Sequence, residues 1–258
     1  MSSLINPDGG LIQRGGLLNQ PDLLVPGKTG AIPTFPIKAS DVAAIMPNAG
    51  YPSHIFMFDE ASGGLQCEVT GAIMAANGTP TYGVTPQDFA DERAVGFTHV
   101  GGDYFDNTSI MQAGGDSIAM LFVVELVTAS AIRKIMEAGG AEFYQLELNA
   151  DGSIDWHADD GTTLQTATVA GNHKSAATAR VILAVMDRNA SAFALHTHLG
   201  SHSVALTIGN VDNTRFWFGS DGANTAGVNI IYAALWKGSG AEGLVEADRA
   251  AFQDHIGL

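Results

Sequence analysis

Between Tyr51 and Trp236 the apolar residues recur at every second position, in short runs separated by Gly, Asp, Asn and Pro. That is the period of an extended strand, whose side chains point alternately to two faces. HIFMFDE (54–60) sets Phe56 and Phe58 on one side. SIAMLFVVELV (117–127) lines one face with Ile118, Met120, Phe122, Val124 and Leu126, and its other face is apolar too. In RFWFG (215–219) Phe216 and Phe218 oppose Trp217, and VNIIYAALWK (228–237) is apolar on both faces, as a central strand covered on both sides requires. RVILAVMDR (180–188), AFALHTHLG and SHSVALTIG continue as a meander, and DGSIDWHADDG lies between Asp-Gly pairs, a strong hairpin signal. Short strands roughly 8 to 15 residues apart with turn signals between them predict an antiparallel sandwich or barrel, not a parallel α/β fold.

The two ends read differently. Seven of the nine prolines fall within residues 1–52, together with the pairs Gly9–Gly10 and Gly15–Gly16, so regular structure is expected to be scarce there. The segment nevertheless carries Leu4, Ile5, Leu11, Leu17, Leu24, Phe35 and Ile37, which need a surface to lie against. It reads as an extended arm that either wraps its own domain or docks on neighbouring subunits; docking is the reading carried forward. At the other end SGAEGLVEADRAAFQDHIGL (239–258) predicts one amphipathic helix, over about 241–256. Ser239 is its expected cap, Glu242 and Glu246 suit its positive end, and Leu244, Val245, Phe252 and Ile256 form its apolar face.

Composition narrows the function. At 258 residues and 46% hydrophobic, the chain can bury a substantial single-domain core. Only 15% of residues are charged, which suggests either a surface covered by neighbours or one built of small polar residues. A net charge of −15 without a Lys/Arg cluster argues against nucleic acid as a partner. The longest apolar run, Ile118–Val124, is too short for a bilayer, which needs about 20 residues, and no secretory signal is visible. Cys67 is the single cysteine, so no intrachain disulfide forms; it reads as a small core residue in a protein made in a reducing cytoplasm.

The order DR (187–188), ALHTHLGSHSVAL (194–206), FWFGSDG, GVNIIYAALWKG and AEGLVEADR (241–249) resembles the C-terminal half of the concanavalin A-like lectin/glucanase superfamily, which includes laminin-G-like modules. The resemblance implies an all-β fold: a two-sheet antiparallel jelly-roll sandwich over residues 53–258, with the extended N-terminal arm before it and the C-terminal helix after it. The sparse charge and the arm also resemble bacteriophage virion proteins that carry such a module. That likeness implies a structural or assembly protein of the particle, as capsid decoration or beside a tail or fibre. Such a protein would be made in the host cytoplasm, form a homo-oligomer and contact other virion subunits through the arm. The alternative is a carbohydrate-binding module for a host surface glycan, and a glycoside hydrolase is a third reading.

Glucanases of the resembled superfamily use a strand motif Glu-x-Asp-x-Glu, because alternation aims all three carboxylates into one cleft. That motif is absent, so no catalytic residue is assigned. The nearest stretch is Asp155-Trp156-His157-Ala158-Asp159. On a strand Asp155, His157 and Asp159 share a face that can take Ca2+ or a transition metal, while Trp156 points the other way and can stack on a sugar. The plainer reading is solvated acidic residues between two turns. His196 and His198, with His202 across a hairpin, can hold a transition metal if a third ligand arrives, and are otherwise hydrogen-bonded strand histidines. Asp221, Asn224 and Thr225, with Asp103, Asp106 and Asn107, can make a calcium or sugar site at one rim. No Gly-x-Ser-x-Gly elbow, phosphate-cradling loop or dinucleotide fingerprint is present.

Overall fold

A computed structural model describes residues 35–97, 102–126, 133–174, 178–219 and 227–258, together with two short N-terminal strands. The chain divides into two compact units, Met1–Thr34 and Phe35–Leu258. In the first, β1 (Leu4–Ile5) pairs antiparallel with β2 (Leu11–Ile12).

The second unit is an all-β sandwich of sixteen strands among the described residues. In chain order they are β3 (His54–Phe56), β4 (Leu65–Gln66), β5 (Ile73–Asn77), β6 (Thr81–Val84), β7 (Ala94–Phe97), β8 (Tyr104–Asn107), β9 (Ile118–Leu126) and β10 (Arg133–Gly139). There follow β11 (Phe143–Leu148), β12 (Ile154–Asp159), β13 (Leu164–Val169), β14 (Ala179–Asp187), β15 (Ala192–Thr197), β16 (Gly200–Ala205), β17 (Arg215–Gly219) and β18 (Val228–Lys237). The front sheet runs β13-β12-β11-β10-β17-β8-β5-β4; the back sheet runs β16-β15-β14-β9-β18-β7-β6, with β3 also pairing β18, and the ladders are antiparallel. No described helix is long and apolar enough to cross a membrane.

The apolar double faces seen in the sequence explain the layering. Met120, Phe122, Val124, Phe216 and Phe218 face inward between the sheets, where Phe218 meets Phe56 at 5.2 Å and Phe58 at 5.1 Å between ring centroids. Leu121, Val123, Tyr232, Ala234 and Trp236 face the opposite way into a second apolar layer with Phe35, Val42, Phe252 and Ile256. The central strands of the back sheet, β14, β9 and β18, are therefore buried on both faces, and the front sheet on one. Where β13 and β16 form the free edges, Gln165 bridges the sheets by donating to the Ala205 carbonyl at 2.5 Å and accepting from the Thr207 N–H at 3.0 Å. Such bridging shields edges that would otherwise offer unpaired backbone groups.

Residues 35–52 do not behave as an extended arm. The stretch between Pro36 and Pro47 is free of proline, and within it α1 (Ala39–Ile45) forms. Phe35 stacks on Tyr232 at 5.3 Å, the Tyr232 hydroxyl donates to the Pro36 carbonyl at 3.0 Å, and Trp236 Nε1 donates to the Gly50 carbonyl at 2.8 Å. The compact domain thus begins at Phe35 and not at residue 53.

The C-terminal helix, α2, is shorter than the pattern suggested, spanning Glu246–His255 after a 3-10 turn at Gly238–Ala241. Gly243, at φ 76°, interrupts the earlier stretch, so Ser239 does not cap α2. Asp248 does: its carboxylate accepts from the Val245 N–H at 2.9 Å and from the backbone N–H and side-chain amide of Asn48 at 2.9 and 3.1 Å. Leu244, Phe252 and Ile256 are buried as expected, whereas Val245 is 44% exposed.

Candidate functional site

Because the back sheet carries the helices, the outer face of the front sheet is the extended sheet surface on which polar side chains gather. Strands β11, β12 and β13 are successive hairpins whose register sets Gln145, His157 and Thr166 in one row and Glu147, Asp155 and Thr168 in the next. Along β12, Ile154, Trp156 and Ala158 point inward and Asp155, His157 and Asp159 outward. The shared face read from the sequence is present, but its grouping differs. His157 Nε2 lies 2.9 Å from Glu147 Oε1 and 3.6 Å from Asp155 Oδ2, and one ligand atom from each of the three side chains falls within 4.8 Å of the others. Asp159 instead accepts the Gly161 N–H at 2.7 Å and closes the next turn.

Each member of the cluster is oriented by a neutral neighbour. His157 Nδ1 meets Thr166 Oγ1 at 2.8 Å, the Asn149 amide donates to Asp155 Oδ2 at 2.7 Å, and the Gln145 amide donates to Glu147 Oε2 at 3.1 Å. The side chains of Glu147, His157 and Asp155 are only 10%, 12% and 15% exposed, and Asp155 Oδ1 is buried with no hydrogen-bond partner among the described residues. Glu147 could have been found from the sequence only through the hairpin register, fixed by the Asn149 N–H donating to the Ser153 carbonyl at 2.8 Å.

Several sequence expectations are corrected. Trp156 is fully buried, stacked on Phe193 at 5.4 Å and edge-on to Tyr144 at 5.8 Å, so its ring belongs to the inter-sheet core and is closed to a sugar. His196 and His198 do not converge on one ligand. His196 Nδ1 meets Ser201 Oγ at 2.8 Å with Glu246 Oε2 at 3.7 Å, whereas His198 packs edge-to-face on His173, and no third donor joins them among the described residues. Burial lowers the pKa of His196, and burial, with Arg180 adding to it, holds His198 at about 4. His202 Nδ1 accepts the Thr168 N–H at 3.0 Å and helps to close the sheet edge.

The rim acids are likewise engaged. Asp103 is buried and accepts the Thr79 N–H at 2.6 Å, Asp106 pairs with Arg215 at 2.7 Å, and Asn107 holds the Ser109 N–H at 2.7 Å. Asp221, Asn224 and Thr225 lie outside the described residues. Cys67 is buried, as a small core residue would be.

A second feature, unread in the sequence, lies at one end of the sandwich. The segment between β8 and β9 and the segment between β16 and β17 both cross from one sheet to the other, and a cleft of about 400 Å³ opens between them. Gln112, Asp116, Asp212, Asn213, Thr214 and Lys237 line it, with the backbone of Gly114 and Gly115. Gly114 and Val211 exchange backbone hydrogen bonds of 2.9 and 3.0 Å, and Asn213, itself buried, accepts the Ala113 N–H at 2.8 Å and donates to the Met111 carbonyl at 3.2 Å. The Tyr144 hydroxyl also donates to the Met111 carbonyl, and Arg188 holds the other wall through the carbonyls of Ile208 at 2.8 Å and Gly209 at 2.6 Å. Within this fixed frame Lys237 Nζ and Asp116 Oδ2, 3.2 Å apart, remain 37% and 52% exposed. Donors and acceptors of both signs on a preformed cleft suit a ligand rich in hydroxyl groups.

No family model matches this sequence, and no curated protein matches it. Solved structures do match. The botulinum neurotoxin serotype D ligand binding domain in complex with N-acetylneuraminic acid superposes with a TM-score of 0.56 at 10% identity, covering 83% of this chain and 52% of that one. A botulinum neurotoxin type C structure, whose cell entry is described as dependent on interaction with two ganglioside molecules, gives 0.58 at 9% identity, with 83% and 53% covered. Trypanosoma rangeli sialidase in complex with the inhibitor DANA gives 0.53 at 13% identity, with 95% and 37% covered. The chain spans about half the length of the toxin domains it matches. At these identities the likeness is one of fold alone, that of a two-sheet antiparallel β-sandwich.

Proposed function

We propose that the domain is a carbohydrate-binding module that takes its ligand in the cleft between residues 112–116 and 212–214. The observation that carries this reading is the cleft's polar, hydrogen-bonded frame, lined by Lys237, Asp116, Asp212, Gln112 and Thr214. Its volume of about 400 Å³ falls in the range of small-ligand sites, about 300–1,000 Å³. Sandwiches of the same fold that hold N-acetylneuraminic acid or interact with gangliosides support the ligand class, and the ammonium of Lys237 suits an acidic sugar.

A glycan array that includes sialylated structures tests the proposal. Binding should appear and should fall by roughly 10- to 100-fold in Lys237→Met or Asp116→Asn, the size expected when a charge-assisted hydrogen bond of about 1.5–3 kcal/mol is lost. Silence across the array, or binding that both substitutions leave unchanged, would remove the proposal. The low charged fraction, 15%, supports a second reading in which the module also sits in an assembly through residues 1–34. Deleting those residues and comparing the oligomeric state of the two proteins by light scattering tests it, and an unchanged state would remove this second reading.

A further inference from the structure

We propose that Glu147 Oε1, Asp155 Oδ2 and His157 Nε2 form a three-ligand site for one divalent transition-metal ion of the zinc or manganese class. The spacing is the first argument. Two donors each about 2.1 Å from such an ion lie roughly 3.0–3.4 Å apart. The two donor distances to His157 Nε2, 2.9 and 3.6 Å, bracket that range, so small side-chain adjustments suffice.

The second argument is orientation. With Nε2 given to the metal, the Nδ1–H of His157 donates to Thr166 Oγ1, the usual way in which a ligating imidazole is held in its tautomer. Asn149 and Gln145 fix the two carboxylates in the same manner. All three ligands stand on adjacent antiparallel strands, so the backbone ladder sets their separation rather than loop flexibility.

The third argument is charge. Two carboxylates that are largely withdrawn from water need a cation or several donors. Among the described residues neither one has a Lys or Arg ion pair, and Lys134, opposite Glu147 across the ladder, spends its ammonium on Glu137 at 2.5 Å. Asp155 Oδ1, moreover, is buried without a donor among the described residues. One imidazole with two carboxylates is a borderline donor set that suits zinc or manganese better than calcium, which takes oxygen ligands. The site shares no residue with the cleft, so the two proposals stand or fall separately.

The test uses the untagged full chain, stripped with EDTA and dialysed, with zinc chloride and manganese chloride titrated calorimetrically and bound metal counted by mass spectrometry. The expected result is one ion per chain, weakened about tenfold or more in Glu147→Gln and His157→Ala and unchanged in His198→Asn. Glu147→Gln keeps the side-chain shape, so its folded state is secured by the same melting scan as the parent. No ion above background would overturn the site and leave His157 as a hydrogen-bonding neighbour of Glu147 and Thr166 alone. So would binding that neither Glu147→Gln nor His157→Ala affects.

Discussion

His173 and His198 meet edge to face, with ring centroids 5.0 Å apart and an interplanar angle of 85°. His173 is 1% exposed, and Nδ1 of His198 has no hydrogen-bond partner among the described residues. Burial holds both rings at about 4, down from the ordinary 6.5; the Val169 backbone opposes this at His173, and the Arg180 guanidinium adds to it at both. The unfolded chain takes up protons on these residues near 6.5, whereas the folded one resists until about 4. The stability they contribute is therefore fully present above 6.5 and is lost as pH falls towards 4. The melting temperature should drop across that window, and the drop should be shallower in His173→Asn and His198→Asn. Parallel pH profiles for the parent and both variants would refute this.

Phe218 is surrounded by Phe56, Phe58, Phe122 and Phe216, with ring centroids 5.1 to 6.0 Å away. Phe218→Ala would open a cavity where both sheets meet and should cost about 3–5 kcal/mol in denaturant unfolding. A loss below about 1 kcal/mol would mean that the core collapses onto the gap.

Asp248 is fully buried and serves two elements, capping α2 through Val245 and gripping Asn48 beyond α1. Asp248→Ala strips acceptors from three N–H groups and should cost about 2–3 kcal/mol. Amide exchange should quicken at residues 39–50 as well as along α2; exchange confined to α2 would show that α1 is held by its apolar contacts alone.

Trp156→Phe separates packing from recognition. The indole Nε1 has no hydrogen-bond partner among the described residues, so the variant loses volume but no polar contact and should cost roughly 1–2 kcal/mol. Affinity for any glycan should be unchanged, and a selective loss of binding in a fully folded variant would reinstate Trp156 as a ligand contact.

Much of the fold was legible because alternation is a local property. Phe216, Phe218 and the double-faced run from Val228 to Trp236 declared a buried central pair, and they occupy one. The same alternation set Asp155, His157 and Asp159 on one face, but it could not supply Glu147, which reaches the cluster through the pairing of β11 with β12. Trp156 was misjudged although its neighbours Ile154 and Ala158 already marked its face as interior. The cleft left no trace because Asp116, Asp212 and Lys237 come from three distant segments joined by topology alone. Helix α1 was hidden by the prolines on either side of it, and its burial depends on Tyr232 and Trp236, nearly two hundred positions later in the chain.

The fastening of Phe35, Pro36 and Gly50 onto Tyr232 and Trp236 has a mechanical meaning. Strand β18, to which they are tied, is laddered to β9 on one side and to β7 and β3 on the other. A pull applied where the domain begins at Phe35 is passed by these ties to a strand whose neighbours on both sides share the load. Whatever hangs from that end of the domain hangs from the middle of the sheet and not from its margin.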